Sequence, residues 1–162
     1  MSDVTLTDLL AEDLPVRLHV PSQALAAGTM VLTLDGALPV QFLAIGDRVI
    51  TRAGARSLRD VSVTVLTDVR LVRISARALS PDSPQDDVIL PPDQPIFVRD
   101  WRAQAMLGER QGVVAVRRLM DGEHIRAESF AEMRLFTLRF DREEVIYAGG
   151  LELICTPEPV AA

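Results

Sequence analysis

Few side chains in this sequence can do covalent or proton-transfer chemistry. There is one thiol, Cys155, and two imidazoles, His19 and His124. A cysteine nucleophile needs a base or a cation beside it, and no histidine lies near Cys155 in the sequence. A small buried hydrophobe is therefore the better reading of Cys155. His124 follows the Asp121-Gly122 turn in a charged neighbourhood and reads as surface. Asp82, Asp86 and Asp87 crowd one stretch, Ser80 to Asp87, but nothing fixes them around a cation, so neither a metal nor any other cofactor is expected. All 17 basic residues are arginine, which removes lysine Schiff-base chemistry and a P-loop lysine. Asparagine is absent as well.

At 162 residues the chain is one domain, large enough for a real core without staples. A net charge of −6 argues against a nucleic-acid surface. The single cysteine rules out an internal disulfide and fits a reducing compartment. Met1 to Asp13 carries acids and no basic n-region, so no signal peptide is expected. The longest stretch free of acid or arginine, Leu18 to Leu34, is too polar for a membrane span. A cytoplasmic protein without membrane or nucleic-acid partners is the expectation.

The elements that would position these residues are mostly strands. Leu6, Leu9, Leu10 and Leu14 have helical spacing, and Pro15 ends that segment. Val16 to Val20 alternates like an edge strand. Met30 to Leu34 is an apolar run expected to be covered on both faces. Asp35-Gly36 then predicts a type I′ hairpin turn into Ala37 to Phe42. Gly46-Asp47 precedes a strand at Arg48 to Thr51, and Arg52 to Arg56 turns around Gly54. Val61, Val63 and Val65 alternate with Ser62 and Thr64 as a strand with one wet face, and Val69 to Ile74 is another. Val88 to Leu90, a turn through Pro91-Pro92-Asp93-Gln94-Pro95, and Ile96 to Val98 come next. Trp101 reads as a core or interface anchor. Val113 to Met120 suits one or two helical turns, Leu135 to Phe140 alternates cleanly, and Asp141 to Glu144 turns into Val145 to Ala148. No βαβ alternation is present, so the class is all-β.

The order Gly28-Thr29, strand, Asp35-Gly36, strand with Pro39-Val40, then Gly46-Asp47-Arg48-Val49 resembles the opening block of the Hint superfamily. These are the self-processing domains of inteins and hedgehog proteins, and the chain looks closest to their stand-alone bacterial relatives. The resemblance runs from about Ala24 to Cys155. It implies a single-domain β horseshoe of many short strands with pseudo-two-fold arrangement. Residues 1–23 would form an N-terminal helix and edge strand, 24–156 the Hint-like domain, and 157–162 a flexible tail.

What the resemblance implies for chemistry is loss. The family's Cys or Ser nucleophile falls at Ala24, whose methyl group has no lone pair. The family's Thr-x-x-His falls on Pro91 to Gln94, ahead of Pro95-Ile96-Phe97-Val98, so threonine becomes Pro91 and the amide-activating histidine becomes Gln94. Glutamine donates hydrogen bonds but transfers no proton near neutral pH. In the last block, Leu138 to Cys155, the turn position is Glu143, the penultimate residue Ile154 and the final one Cys155 rather than asparagine. The expectation is therefore no catalytic residue but a vacated cleft at Ala24, Asp93, Gln94 and Glu143, in a non-catalytic module that binds a protein partner or forms a homo-oligomer. The alternative is an enzyme with relocated groups, hydrolytic through Asp93 and Glu143 or thiol-based through Cys155.

Overall fold

The computed structural model describes residues 19–157. The expected N-terminal helix therefore lies outside the described residues, as do residues 16–18 of the edge strand and 158–162 of the tail. His19 and Val20, which are described, are not strand.

The described residues form twelve strands: β1 (Leu25–Ala26), β2 (Met30–Thr33), β3 (Gly36–Pro39), β4 (Arg48–Thr51), β5 (Gly54–Ser57), β6 (Asp60–Ile74), β7 (Val88–Leu90), β8 (Pro95–Val98), β9 (Gly112–Ala115), β10 (Ile125–Arg139), β11 (Glu144–Ala148) and β12 (Leu151–Cys155). Among the described residues there are also an α-helix, α1 (Trp101–Leu107), and two 3₁₀ turns, Val40–Phe42 and Val116–Leu119. The protein is all-β, as its sequence predicts, with open antiparallel sheets. No described helix is long and apolar enough to cross a membrane.

A four-stranded sheet has the order β1-β10-β6-β7, and a larger one runs β3-β2-β4-β11-β12-β8-β9 with β5 beside β4. The first order discloses an internal two-fold relation. Each half supplies a short strand (β1, β7), then a strand pair and a 3₁₀ turn (β2-β3, β8-β9), then one 15-residue strand (β6, β10). Each short strand pairs with the long strand of the other half. The main core lies between the sheets, around Val31, Leu58, Ile74, Leu90, Ile96, Ile125 and Leu153. A smaller cluster of Ala24, Ala26, Leu66, Val69, Leu71 and Leu135 packs on the far side of β1.

Several local expectations change in detail. The β2 strand is not covered on both faces: Val31 and Thr33 are buried while Met30 and Leu32 are exposed. The segment 37–42 is strand only to Pro39 and then a 3₁₀ turn. The hairpin at Asp35-Gly36 exists, but only Gly36 has positive φ, so the turn is not type I′. It is closed instead by Thr33, whose hydroxyl donates to Gly36 O at 2.7 Å and accepts from Asp35 N at 3.0 Å. Thr51 does the same one hairpin later, to Gly54 O and from Ala53 N, so Gly54 to Arg56 belongs to β5 rather than to a turn. The two-residue turn with positive φ at both positions is Gly149-Gly150, at φ 62° and 85°, between paired Ala148 and Leu151.

The two strands expected at 61–65 and 69–74 are one, because no glycine or proline interrupts the pairing of β6 with β10. Along it Val63 and Val65 are exposed, and Leu66, Val69, Leu71, Val72 and Ile74 face inward. Trp101 is 69% exposed, so it is not a core anchor. It opens α1, which Asp100 caps by accepting from Arg102 N at 2.9 Å and Gly108 ends in the left-handed region.

Candidate functional site

β1 is only two residues long, but it threads between the two hydrophobic clusters, with Leu25 facing the larger and Ala24 and Ala26 the smaller. That placement buries the Gln23-Ala24 peptide. Both of its polar atoms are held. The Ala24 N–H donates to Gln94 Oε1 at 2.9 Å, and Thr137 Oγ1 donates to Gln23 O at 2.7 Å. Gln94 comes from the turn before β8, closed by its N–H on Pro91 O, and Thr137 from the inner face of β10.

Gln94 is 2% exposed and both ends of its amide are engaged. Besides accepting from Ala24, its Nε2 donates to Pro95 O at 2.9 Å and to Ile154 O at 3.0 Å. One acceptor contact and two donor contacts fix which end of the amide is oxygen. Gln94 thus joins the start of the domain to its last strand. Gln23 makes a second such tie: its Oε1 accepts from Thr156 N at 2.8 Å and its Nε2 donates to the Thr156 hydroxyl.

The residues singled out in the sequence fall into two groups. Ala24, Gln94, Ile154 and Cys155 converge. Ala24, Gln94 and Cys155, with Gln23 and apolar neighbours, line a void of only about 10 Å³, roughly the space of one water. The carboxylates stay outside. Asp93 is exposed and paired with Arg117 at 2.8 Å, and Glu143 is exposed in the turn before β11. Asp93 and Glu143 are not among the residues lining the void. Pro91 is buried and serves as the backbone acceptor of the Gln94 turn. His124 is exposed. Asp87 accepts from Arg73 and from Ala76 N, which gives it a structural role in the loop. Among the described residues no three of His, Cys, Asp or Glu converge as metal ligands would.

Thr137 is a contact the sequence reading missed. Its signal was faint: a hydroxyl among the apolar residues of the β10 run, on a strand position expected to be wet but in fact buried.

Cys155 is buried, and that burial pushes its thiol pKa up from 9.0 to about 12. The neutral thiol is the form the fold favours. Its contribution to stability is fully present below pH ~9 and declines as pH rises toward about 12. Denaturation midpoints measured across that window will fall more steeply for the wild type than for Cys155→Ala. Thiolate chemistry at neutral pH is correspondingly disfavoured at this position.

The family profile described as the Hint domain matches residues 23–153. The fold is similar to a solved bacterial intein-like domain from Clostridium thermocellum, with TM-score 0.61 and 18% identity over 83% of this chain and 98% of that one. It is also similar to the gp41-1 intein, with TM-score 0.54 and 14% identity over 83% and 98%. The MchDnaB-1 intein matches with TM-score 0.54 and 14% identity over 82% and 100%. No protein of curated function matches the sequence.

Proposed function

The chain belongs to the Hint domain family, and from that premise we propose that it is a Hint domain that no longer cuts its own backbone and acts instead as an association module. What supports the loss of cutting is the Gln23-Ala24 peptide itself. It is gripped at both polar atoms, but it lies beside a methyl group where a nucleophile would be needed and beside an amide where a proton donor would be needed. The void next to it holds no more than about one water, and no carboxylate or histidine lines it to activate that water. Cys155, the relocated thiol of the alternative reading, is neutral and buried.

The association role draws on exposed apolar side chains. Met30 and Leu32 on β2 and Leu34 in the turn after it are exposed at alternate positions, and Phe42 at the end of the next 3₁₀ turn and Ile45 beyond it are exposed as well. Isolated exposed apolar residues are ordinary, but a contiguous row is a feature of contact surfaces.

One sample tests both parts. Purified protein is incubated with and without hydroxylamine and read by intact-mass spectrometry, while light scattering reports its mass in solution. The expected result is one uncut chain that self-associates or is captured by a partner through β2. A fragment ending at Gln23 overturns the loss of cutting. A strictly monomeric protein that binds no partner through that row overturns the association role.

A further inference from the structure

Glu144 is the one charged side chain among the described residues that is buried. The four other buried polar side chains are Thr33, Thr51, Gln94 and Thr137, and all have hydrogen-bond partners. Glu144 accepts no hydrogen bond from a described side chain or backbone N–H. Its single charged contact among the described residues is Arg56 Nε at 3.3 Å, and the Arg56 side chain is itself 45% exposed. A carboxylate has about four acceptor positions, and a buried one left short of donors is unfavourable. The remaining capacity of Glu144 faces a pocket of about 260 Å³ lined by Arg56, Ser57, Phe140, Asp141, Arg142 and Glu144.

The pocket's charges narrow what can fill it. Arg142 has no charged partner among the described residues, whereas Asp141 is engaged by Arg59 at 3.0 Å. Two guanidinium groups and two carboxylates cancel, so a ligand of one net charge meets repulsion as well as attraction. A divalent cation needs more oxygen ligands and no flanking arginines. A molecule carrying both charges satisfies the donor-poor carboxylate and the unpaired guanidinium together. The volume is near the lower end of small-ligand pockets, roughly 300 Å³ upward, which suits something no larger than a dipeptide.

We propose that this pocket binds a zwitterion of amino-acid size, its ammonium donating to Glu144 and its carboxylate received by Arg142. The site is separate from the Gln23-Ala24 peptide, so it stands or falls independently of whether the domain cuts itself.

The test uses the whole chain and follows backbone amide resonances of Ser57, Phe140 and Glu144 during titration with L-serine, glycylglycine, betaine, methylammonium and acetate. The expected result is saturable shifts with L-serine or glycylglycine. Affinity then falls at least about tenfold in both Glu144→Gln and Arg142→Gln, as for loss of one charge-assisted pair each. Which of the two zwitterions binds tells a free amino acid from a short peptide. Betaine keeps both charges but has no N–H, so binding of betaine as tight as that of L-serine overturns the contact with Glu144. Saturation by methylammonium or acetate alone, a loss in only one variant, or no saturable shift with any probe overturns the proposal and leaves a pocket that holds water only. Arg142 is an exposed loop residue, so its variant and the betaine arm keep the test decisive should Glu144→Gln not fold.

Discussion

Gln94→Ala lowers the unfolding free energy by about 4 kcal/mol, the largest loss expected from any single substitution at this site. Removing the amide leaves the Ala24 N–H and the Ile154 and Pro95 carbonyls without their partner in a region closed to solvent. Each buried group left unpaired costs about 1–3 kcal/mol, and the emptied volume adds a cavity penalty. Gln94→Met separates the two contributions, because it fills the space and supplies no hydrogen bond. Denaturant unfolding of wild type and both variants will place Met between the other two. If Gln94→Ala unfolds at the wild-type midpoint, the clamp contributes nothing and the account of the site fails.

A double variant, Ala24→Cys with Gln94→His, gains a hydroxylamine-sensitive bond between residues 23 and 24. The thiol of the new cysteine loses its proton to solvent as its sulfur attacks the Gln23 carbonyl carbon, and the C–N bond to residue 24 breaks. The imidazolium gives its proton to the departing nitrogen, and a thioester remains. Thr137 already donates to the carbonyl oxygen that becomes negative during the attack. Adding Thr137→Val to the double variant should therefore slow cleavage about 10²- to 10³-fold, the usual effect of losing one such donor. Ala24→Cys alone stays intact or nearly so, because Gln94 has no proton to give. Mass spectrometry after hydroxylamine reads all three. A double variant that is folded and still uncut shows that more than these two groups is missing.

The part of the fold that could be read from the sequence was the part with strong local grammar. Arg48–Thr51 is legible to the residue and the strand at Val145 to Ala148 within one residue, because apolar alternation and turn residues bracket both. The first ten residues of β10 escaped notice because Ile125 to Arg134 shows no clean alternation. That stretch is strand because β6 pairs with it on both sides of Ala131, and its sequence carries little trace of that long-range pairing. Helix α1 is hard to read in the sequence although Asp100 and Gly108 mark its ends, since a seven-residue helix is a weak signal inside a run of strands. At the site, Ala24 and Gln94 are legible only through the resemblance to the family's motifs. Thr137 is not, because its role is set by where β10 passes, 114 residues away in sequence from the carbonyl it holds. The carboxylates of the alternative reading stand away from the void beside Ala24. Asp93 found Arg117 at the surface, and it is Glu144 rather than Glu143 that turns inward.

The pairing of Gln23 with Thr156 has a consequence for how this domain can be carried by other proteins. Since the two ends of the domain are bound to each other within hydrogen-bonding distance, its insertion into an exposed hairpin of a host would leave the severed strands of that hairpin side by side. The entropy of closing the host loop would then change little, whatever the length of the inserted chain. A domain built in this way works as a rivet whose two legs leave through one hole.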